Sequence, residues 1–124
     1  MIAGIGTDIV EIHRIEEKLV KNTYFKTHVF STNEIEYCEK QKKPFMHFAA
    51  RWAVKEAYLK AFGVKFIGNH RLPDIETVHN EHGKPFIELK QKAKEEFDEK
   101  NFMQVHVSIS HTEVHAMAYV IIEY

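Results

Sequence analysis

Residues 44–63 read PFMHFAARWAVKEAYLKAFG and determine the kind of fold that this chain can form. Apolar side chains recur along this segment at helical spacing, at Phe48, Trp52, Leu59 and Phe62. Such a stripe predicts a helix that covers a hydrophobic core with one side. Pro44 is favourable in the first turn of a helix, and Gly63 just after its last turn. We therefore expect one long helix from about Phe45 to Phe62.

The segments before this helix predict one strand and two shorter helices. β-Branched residues predict a strand over residues 2–10, and apolar spacing predicts a helix over residues 12–21. Ser31 and Glu34 have the spacing of a capping box, which opens a short helix that ends at about Gln41.

The segments after the long helix supply most of the predicted strands. These strands span residues 75–80, 86–89, 103–110 and 115–123. Residues 81–85 form a hairpin turn, and residues 90–100 predict a charged helical connection. The fold class is therefore α+β, a small, mostly antiparallel sheet packed on a long helix, with the order of the strands left open.

The composition suits one ordinary globular domain over residues 1–124, with 44% hydrophobic residues. A formal net charge of −1 supplies no overall field for nucleic acid, so we expect no such partner. Cys38 is the single cysteine and cannot form an internal disulfide, which favours a reducing compartment. No basic leader and no apolar run near the roughly 20 residues of a membrane span is found, so we expect a cytoplasmic protein without a membrane partner.

The first predicted strand places Gly4, Gly6 and Asp8 on one face, because alternate strand residues point the same way. Glycines inside a strand commonly mark close approach by a ligand or by another backbone. Asp8 is then either a carboxylate beside a ligand or a turn residue that caps the following helix. The glycine spacing matches neither a dinucleotide-binding nor a P-loop pattern.

A second side of the long helix carries small residues followed by charged ones, namely Ala49, Ala53, Glu56 and Lys60. Glu56 and Lys60 can form an i,i+4 ion pair, which would explain both residues without a function. Alternatively, Glu56 joins Asp8 around Mg²⁺, an ion that takes oxygen ligands and often only one or two carboxylates. Lys60 and Arg51 would then face phosphate groups. Sequence spacing leaves both interpretations open.

The strand near the carboxyl terminus alternates apolar and polar residues and ends in Ser108, Ser110 and His111. Ser110 and His111 lie where loops commonly carry ligand contacts, whereas His106 suits a solvated strand face. Although the chain has 9 histidines, none forms a helical zinc motif. No serine has an obvious base partner, so the sequence supports neither zinc nor triad chemistry.

Three segments together resemble the small holo-acyl-carrier-protein synthases, a group of 4'-phosphopantetheinyl transferases. They are GIGTDIVEIHRI over residues 4–15, FAARWAVKEAYLKAFG over 48–63 and VSISH over 107–111. They occur in the order of the family patterns GxDxxExxR, RxxxKEAxxKA and SxSH. The segment IETVHNEHGKPFIEL over residues 75–89 also resembles the family's hairpin. The resemblance extends from about Met1 to Glu123.

The resemblance implies an enzyme that moves the 4'-phosphopantetheine arm of coenzyme A to a serine of an acyl carrier protein in fatty acid biosynthesis. It implies that Asp8 and Glu56 are the catalytic residues that bind magnesium. It also implies residues near the coenzyme A phosphates, namely Arg51, Lys60, His111, Lys84, Lys42 and Lys43. The base that accepts the serine proton is either Glu56 or a water on the metal. A homotrimer with sites between neighbouring subunits is typical of the family.

Acyl carrier proteins are acidic, so we expect a basic docking surface on this chain. Arg14, Lys18 and Lys21 follow one another at helical spacing on the first predicted helix, and Arg14 can bind carboxylates with two parallel bonds. The alternative is a solvated helix face on which Glu17 pairs with Lys21.

Two departures from the family pattern stand out. Residues 63–74 read GVKFIGNHRLPD where a smaller loop is usual, which leaves the adenine contacts there open. Trp52 stands where phenylalanine is usual, a change that we expect to affect packing alone. Two other functions fit parts of the pattern: a module that binds a carrier or nucleotide without catalysis, and a metal-dependent phosphohydrolase.

Overall fold

A computed structural model describes residues 1–64 and 71–124 of the protein. Its strands are β1 (Ile2–Glu11), β2 (Ile75–His79), β3 (Pro85–Leu89), β4 (Gln104–His111) and β5 (His115–Glu123). Its helices are α1 (Ile12–Lys21), α2 (Thr23–Val29), α3 (Thr32–Glu39), α4 (Pro44–Phe62) and α5 (Gln91–Glu99), with a 3-10 turn at Leu72–Asp74. None of the helices in these two ranges is long and apolar enough to cross a membrane.

The predicted α+β class is confirmed, and α1 has the expected bounds. The capping box is also present, since Ser31 Oγ accepts from the Glu34 N–H at 3.1 Å and Glu34 Oε1 accepts from the Ser31 N–H at 3.0 Å. The sequence analysis missed α2. This helix begins after Asn22, whose side chain accepts from the Tyr24 N–H at 2.9 Å.

The strands form two antiparallel sheets, one with the order β1-β5-β4 and one made of β2 and β3. The central strand β5 turns small and branched side chains towards α4, and all of them are buried: Ala116, Ala118, Val120 and Ile122. On its opposite face, Tyr119 pairs with Thr7 of β1 and Ser108 of β4. That face of the sheet is uncovered in the single chain, as the exposure of Ile5 and Ile9 shows.

The glycines of β1 allow α4 to pack against the strand backbone. A Cβ at Gly4 would lie 1.8 Å from the Ala61 carbonyl oxygen, and one at Gly6 would lie 1.9 Å from that of Ala57. The sequence analysis expected either a ligand or another backbone close to these glycines, and the structure shows the backbone of α4. Two strand residues advance about as far as one helical turn, so the two elements pack in register. Asp8 is the next residue on the same face of β1.

A buried ion pair ties α4 to α3 and β2. Lys55 Nζ is buried and donates to Glu34 Oε1 at 2.7 Å, to the Leu72 carbonyl at 2.8 Å and to the Ile75 carbonyl at 2.6 Å. The second oxygen of Glu34 accepts from the Thr77 N–H at 3.0 Å. Both charges are thus fully hydrogen-bonded, which a buried pair requires if it is not to destabilise the fold. The network holds the chain in place where it enters β2.

Candidate active site

Asp8, Glu56 and Lys60 come together where β1 passes α4. Lys60 Nζ donates to Asp8 Oδ1 at 3.1 Å and to the Thr7 carbonyl at 2.8 Å. The Asp8 side chain is only 17% exposed. Asp8 does not cap α1, since the N-cap of that helix is Glu11. Lys60 therefore hydrogen-bonds to Asp8 on the neighbouring strand β1. The sequence analysis had considered an ion pair between Lys60 and Glu56 within the helix instead.

Both carboxyl groups have a raised pKa, and the charge of Asp8 contributes to the rise at Glu56. Burial raises the pKa of the Asp8 carboxyl, and the hydrogen bond and charge of Lys60 oppose this rise. Burial also raises the pKa of the Glu56 carboxyl, and the charge of Asp8 raises it further against the charges of Lys60 and Lys18. Two partly desolvated carboxylates that repel each other form a site where a cation is stabilised. Their oxygen donors fit Mg²⁺, which completes its ligand shell with water and phosphate oxygens.

A cleft of about 600 Å³ lies at the amino-terminal end of α4. It brings together three of the residues expected near phosphate, Lys42, Lys43 and His111. Its remaining lining is Ile12, Glu16, Pro44, Phe45, Met46, Thr112 and Glu113. The N-cap residue of α4, Lys43, makes no side-chain cap to the first turn. Lys42, Lys43, His111 and the amino-terminal end of the helix are groups that can bind an anion, and Glu16 and Glu113 add two carboxylates to the same cleft.

Arg51 is buried instead of lining this cleft, and its side chain is 2% exposed. Its guanidinium lies over the Tyr37 ring at 4.3 Å, and one of its N–H groups donates to His79 Nδ1 at 3.4 Å. Arg51 and Glu56 are five residues apart on α4 and point about 140° away from each other around the helix axis. Arg51 therefore lies on a different side of α4 from the Asp8–Glu56 pair.

The serines near His111 point away from it. The structure extends β4 through His111, so that residue faces α4 while Ser108 and Ser110 lie on the uncovered face of the sheet. Lys84 lies in the turn between β2 and β3, where its N–H donates to Asn80 Oδ1 at 2.9 Å, and it does not line the cleft. The adenine contacts left open for residues 63–74 fall on a segment of which residues 65–70 lie outside the described ranges.

The basic residues of α1 line a groove of about 440 Å³ together with Glu17, Asn22 and Phe25. The Lys18 ammonium lies 5.2 Å from the Trp52 ring centre and 5.6 Å from that of Phe25. Lys21 pairs with Glu17 at 3.4 Å, as the solvated-face alternative supposed. Since the charge of Lys18 also lowers the pKa of Glu56, this groove lies close to the acidic pair. Trp52 thus contributes a cation–π contact as well as packing.

Sequence reasoning missed the aromatic and imidazole side chains around Arg51. Tyr37 and His79 stack with ring centres 4.9 Å apart, and Tyr37 also meets His47 edge-on at 5.7 Å. His47 and Arg51 stand at i,i+4 on the predicted long helix, and this spacing is the feature of the sequence that indicates a contact between them. Nothing in the sequence indicated that α3 and β2 would contribute Tyr37 and His79 to the same place.

Comparison with known proteins gives a consistent result. Residues 4–120 match the sequence model of the 4'-phosphopantetheinyl transferase superfamily. The chain is 43% identical over 123 residues to a holo-[acyl-carrier-protein] synthase of Clostridium tetani, covering 99% of this chain and 97% of that relative.

Solved structures agree over the whole length of the chain. The holo-[acyl-carrier-protein] synthase of Neisseria meningitidis superposes with a TM-score of 0.91 at 30% identity, covering 100% of both chains. The enzyme of Helicobacter pylori, solved in complex with coenzyme A, superposes with a TM-score of 0.82 at 34% identity, covering 96% of this chain and 99% of that chain. The resemblance found in the three sequence motifs is confirmed, and the chain belongs to the 4'-phosphopantetheinyl transferase superfamily, in the group of the holo-[acyl-carrier-protein] synthases.

Proposed function

We propose that this chain transfers the 4'-phosphopantetheine arm of coenzyme A to a serine hydroxyl of an apo-acyl carrier protein. The products are the holo-carrier and adenosine 3',5'-bisphosphate, and the reaction serves fatty acid biosynthesis in the cytoplasm. The observation that carries this proposal is the Asp8–Glu56 pair beside Lys60, in a chain of the holo-[acyl-carrier-protein] synthase group. Residues 1–124 act as a single transferase domain.

Asp8 and Glu56 are the residues that hold Mg²⁺ in this proposal. Lys60 compensates the two partly buried carboxylates only in part, since the pKa of each stays raised, and a divalent cation would stabilise them further. When bound, Mg²⁺ supplies charge neutralisation for the diphosphate and makes its phosphorus more electrophilic. Lys60 is held at the same place by Asp8 and by the Thr7 carbonyl, so its ammonium adds positive charge next to the reacting diphosphate. Phosphoryl-type transfer depends mainly on such alignment and neutralisation.

The serine hydroxyl of the carrier must lose a proton as it attacks the phosphorus. Glu56 is the group of this chain that can accept it, because its raised pKa brings it closer to the range of a useful base. Water near the site is the alternative acceptor. On the attacking side the serine oxygen forms a bond to phosphorus, and the bond from phosphorus to the bisphosphate leaving group breaks.

The cleft at the start of α4 is the site that we propose for phosphate groups of coenzyme A. Lys42, Lys43 and His111 would contact them directly, together with the first turn of the helix. Arg51 would contribute its positive charge without touching the phosphates, because its side chain is buried. A role for Lys84 rests on the family resemblance alone.

We propose a homotrimer in which each site is completed by a neighbouring subunit. Two observations support it. The cleft lining includes none of Asp8, Glu56 and Lys60, so one chain presents the basic and the acidic parts separately. The uncovered sheet face also exposes large apolar side chains, with Ile5 at 52%, Ile9 at 65% and Tyr119 at 40%. Exposed apolar surface of this kind is typical of a protein interface.

The groove on α1 is the docking surface that we propose for the acidic carrier protein. Arg14, Lys18 and Lys21 supply its positive charge, and Phe25 supplies an apolar contact. Because Lys18 influences Glu56, a carrier bound here would have its serine near the acidic pair. Lys21 contributes less, since Glu17 already pairs with it.

Mass spectrometry of an apo-carrier incubated with this protein, coenzyme A and Mg²⁺ tests the proposal. We expect a phosphopantetheine adduct on the carrier serine that is absent when a chelator removes the metal. An unmodified carrier with intact coenzyme A would indicate a binding module instead. Hydrolysed coenzyme A with an unmodified carrier would indicate a phosphohydrolase.

A further inference from the structure

A second cleft, of about 700 Å³, is formed by residues of α2, α3, β2, α5 and the 3-10 turn. It is called here the α5 cleft, after the residues of α5 that line it together with Asp74 and Glu76. It shares no lining residue with the basic cleft or with the groove on α1. None of its elements belongs to the β1-β5-β4 sheet, so the α5 cleft is separate from the sheet face that we propose for subunit contacts. Its volume is in the range of small-molecule sites.

Two buried carboxylates lie in the α5 cleft, and the chain satisfies one of them. Glu76 Oε2 accepts from Lys90 Nζ at 3.2 Å, and Glu76 Oε1 accepts from Asn33 Nδ2 at 3.4 Å. Although burial alone would raise the pKa of Glu76, hydrogen bonds from Ser31, Lys90 and Asn33 hold this pKa below its usual value. The charge of Glu76 is therefore balanced by groups of the chain itself.

The second buried carboxylate, Asp74, has no such partners. Asp74 is only 6% exposed, and its Oδ2 is enclosed without a hydrogen-bond partner. Within residues 1–64 and 71–124, its side chain forms no hydrogen bond and no ion pair. Its backbone alone is engaged, with the Arg71 carbonyl at 3.0 Å and the Lys90 N–H at 2.9 Å. Because a buried carboxylate without donors is unfavourable, Asp74 calls for a donor from outside the chain.

The buried lysine beside Asp74 cannot supply that donor. Lys55 Nζ bonds the carbonyls of Leu72 and Ile75, which stand on either side of Asp74 in the sequence. Its third bond goes to Glu34 Oε1 at 2.7 Å. An ammonium has three N–H groups, so these bonds leave Lys55 none for Asp74.

The remaining charged residues of the α5 cleft are exposed at its rim, where water solvates them: Arg71, Lys92 and Glu95. The rim thus carries one more positive than negative charge, whereas the interior keeps the unbalanced negative charge of Asp74. An anion would be repelled by Asp74, and a ligand with several positive charges would be repelled by the rim. A ligand with one positive group fits both parts.

An ammonium group suits Asp74 better than a metal ion does. Divalent metal ions take several oxygen ligands, and Glu76 is already occupied by its own donors. In the part of the chain that the structure describes, no group of three or more His, Cys, Asp or Glu side chains is placed to hold a metal ion. A primary ammonium brings N–H donors and a positive charge together, which are the two features that Asp74 lacks.

We propose that the α5 cleft binds a small hydroxylated primary amine, such as an amino alcohol or an amino sugar, with its ammonium group at Asp74. The hydroxyls of Thr27 and Thr32 lie in the same cleft and can hydrogen-bond the hydroxyl groups of the ligand. Asn33 uses its amide nitrogen for Glu76, so its carbonyl oxygen can accept as well. Phe30 offers an apolar contact for the carbon skeleton. The ligand is bound without any covalent step.

A titration of the whole, nitrogen-15-labelled chain with D-glucosamine at pH 6.5, followed by NMR, tests the proposal. The backbone N–H signal of Asp74 and those of its neighbours should shift to saturation, with a dissociation constant of about 1 mM or lower. D-Glucose and N-acetyl-D-glucosamine carry similar hydroxyl groups but no ammonium, and should cause no saturable shift. Binding should be the same with and without coenzyme A, because the two sites share no residue.

Asp74→Asn tests the contact itself, since it keeps the size of the side chain and removes its charge. We expect glucosamine to bind at least about tenfold more weakly to this variant. Its melting temperature should not decrease, because the carboxylate has no partner within the chain. Glu95→Gln is the matched control, since it removes the same charge from the rim and should change the affinity by less than about twofold.

Three outcomes would overturn the proposal. The first is equal binding of glucose and glucosamine, or an unchanged affinity for glucosamine in folded Asp74→Asn. The second is no binding of glucosamine or ethanolamine far above the expected dissociation constant, which would mean that water alone solvates Asp74. The third is a melting temperature that falls by more than about 5 °C in Asp74→Asn, which would mean that the chain itself satisfies the carboxylate. Failure to modify a carrier contradicts the proposed function and leaves this proposal unaffected.

Discussion

Asp8 and Glu56 come from different elements, and each carboxyl has a raised pKa. The cause is mainly burial, and for Glu56 the charge of Asp8 adds to it. Glu56 is not part of the hydrophobic core, and Asp8 does not cap α1. The partial burial of these two carboxylates is therefore electrostatically unfavourable and is not explained by the core or by helix capping. Such perturbed carboxyl groups are typical of functional sites.

Replacing either carboxylate should abolish transfer and leave the fold intact. In Asp8→Asn or Glu56→Gln the side chain keeps its size, but one oxygen donor of the proposed metal site loses its charge. We expect the rate of carrier modification, followed by mass spectrometry, to fall at least about 100-fold. The melting temperature should not decrease, because removing one charge relieves repulsion within the pair.

Glu99→Gln is the control for this pair of variants, since Glu99 is an exposed residue of α5. It removes the same charge from the chain and should leave the rate unchanged. Normal activity in Asp8→Asn or in Glu56→Gln would remove that residue from the metal site.

The sequence identified Asp8 and Glu56 through motifs, but it did not show that they meet. Their proximity depends on the contact between Gly6 and Ala57, which joins parts of the chain that are remote in sequence. The burial of Arg51 was also not predictable. It depends on which side of α4 faces α3 and β2, and alternating or helical spacing does not determine that tertiary choice.

At the scale of the elements, the packing of β1 on α4 positions the acidic pair. One of its two close contacts is at Gly6, where a Cβ would lie 1.9 Å from the carbonyl oxygen of Ala57 and 2.7 Å from the Ala61 nitrogen. Backbone atoms of a helix interior cannot move aside singly. Any side chain at this position must therefore push the strand and the helix apart.

Gly6→Ala should lower the free energy of unfolding by roughly 2–4 kcal/mol. In a chain of this size we expect the melting temperature to fall by about 10 °C, which calorimetry would measure. Activity should fall as well at temperatures where the variant remains folded, because the separation moves Asp8 away from Glu56.

Gly63→Ala is the comparison for this substitution. Gly63 has a φ of 98° at the end of α4 and no atom within 4 Å of an added Cβ, so its cost is conformational and about 1 kcal/mol. A Gly63→Ala variant that loses more stability than Gly6→Ala would contradict the packing argument.

Helix α1 contributes the docking groove, and Arg14 is its most informative position. Arg14→Glu should raise the KM for the carrier by about tenfold at low salt and leave kcat nearly unchanged, because a reversed charge repels an acidic partner before the reaction begins. The effect should shrink in high salt, since exposed charges are screened. Steady-state rates at two salt concentrations measure both quantities.

Lys92→Glu provides the matched charge reversal, on the exposed surface of α5. It should leave the KM for the carrier unchanged. If Arg14→Glu behaves like Lys92→Glu at both salt concentrations, α1 is not the docking surface.

The element boundaries were largely predictable because capping residues and periodicity are local signals. The capping box at Ser31 and the glycine after α4 both occur where they were expected. The helix α2 was missed because its seven residues are too few to show a helical apolar stripe. Strand order was not predictable, since the alternation in β5 is compatible with several partners and only the packing under α4 selects β1 and β4.

At the scale of the whole molecule, the single chain has an uncovered sheet face, and the acidic pair and the basic cleft are the two parts that we propose form one site between subunits. The apolar part of that face comes mainly from β1 and β5, whereas β4 presents His106, Ser108 and Ser110. A surface that is apolar on one side and polar on the other suits a ring in which unlike edges meet. A closed trimer would bury this face and place the cleft of one subunit near the acidic pair of the next.

Mixing two inactive variants tests this arrangement directly. Glu56→Gln lacks the acidic half of the site, and Lys43→Glu combined with His111→Ala lacks the basic half. Each should be inactive alone. If every site joins the acidic half of one subunit to the basic half of its neighbour, a trimer that contains both variants has one intact site, about a third of its sites.

Co-expression of the two variants with different affinity tags, followed by purification on both tags, isolates the mixed assemblies. Their activity should recover to a substantial fraction of the unmodified enzyme, and light scattering should give the mass of three chains. Sites built within one subunit would leave every mixture inactive, because each chain would still carry a damaged half. Recovery therefore depends on the physical separation of the two halves on α4, and a failure to recover in folded, mixed trimers would mean that coenzyme A is held by one chain alone.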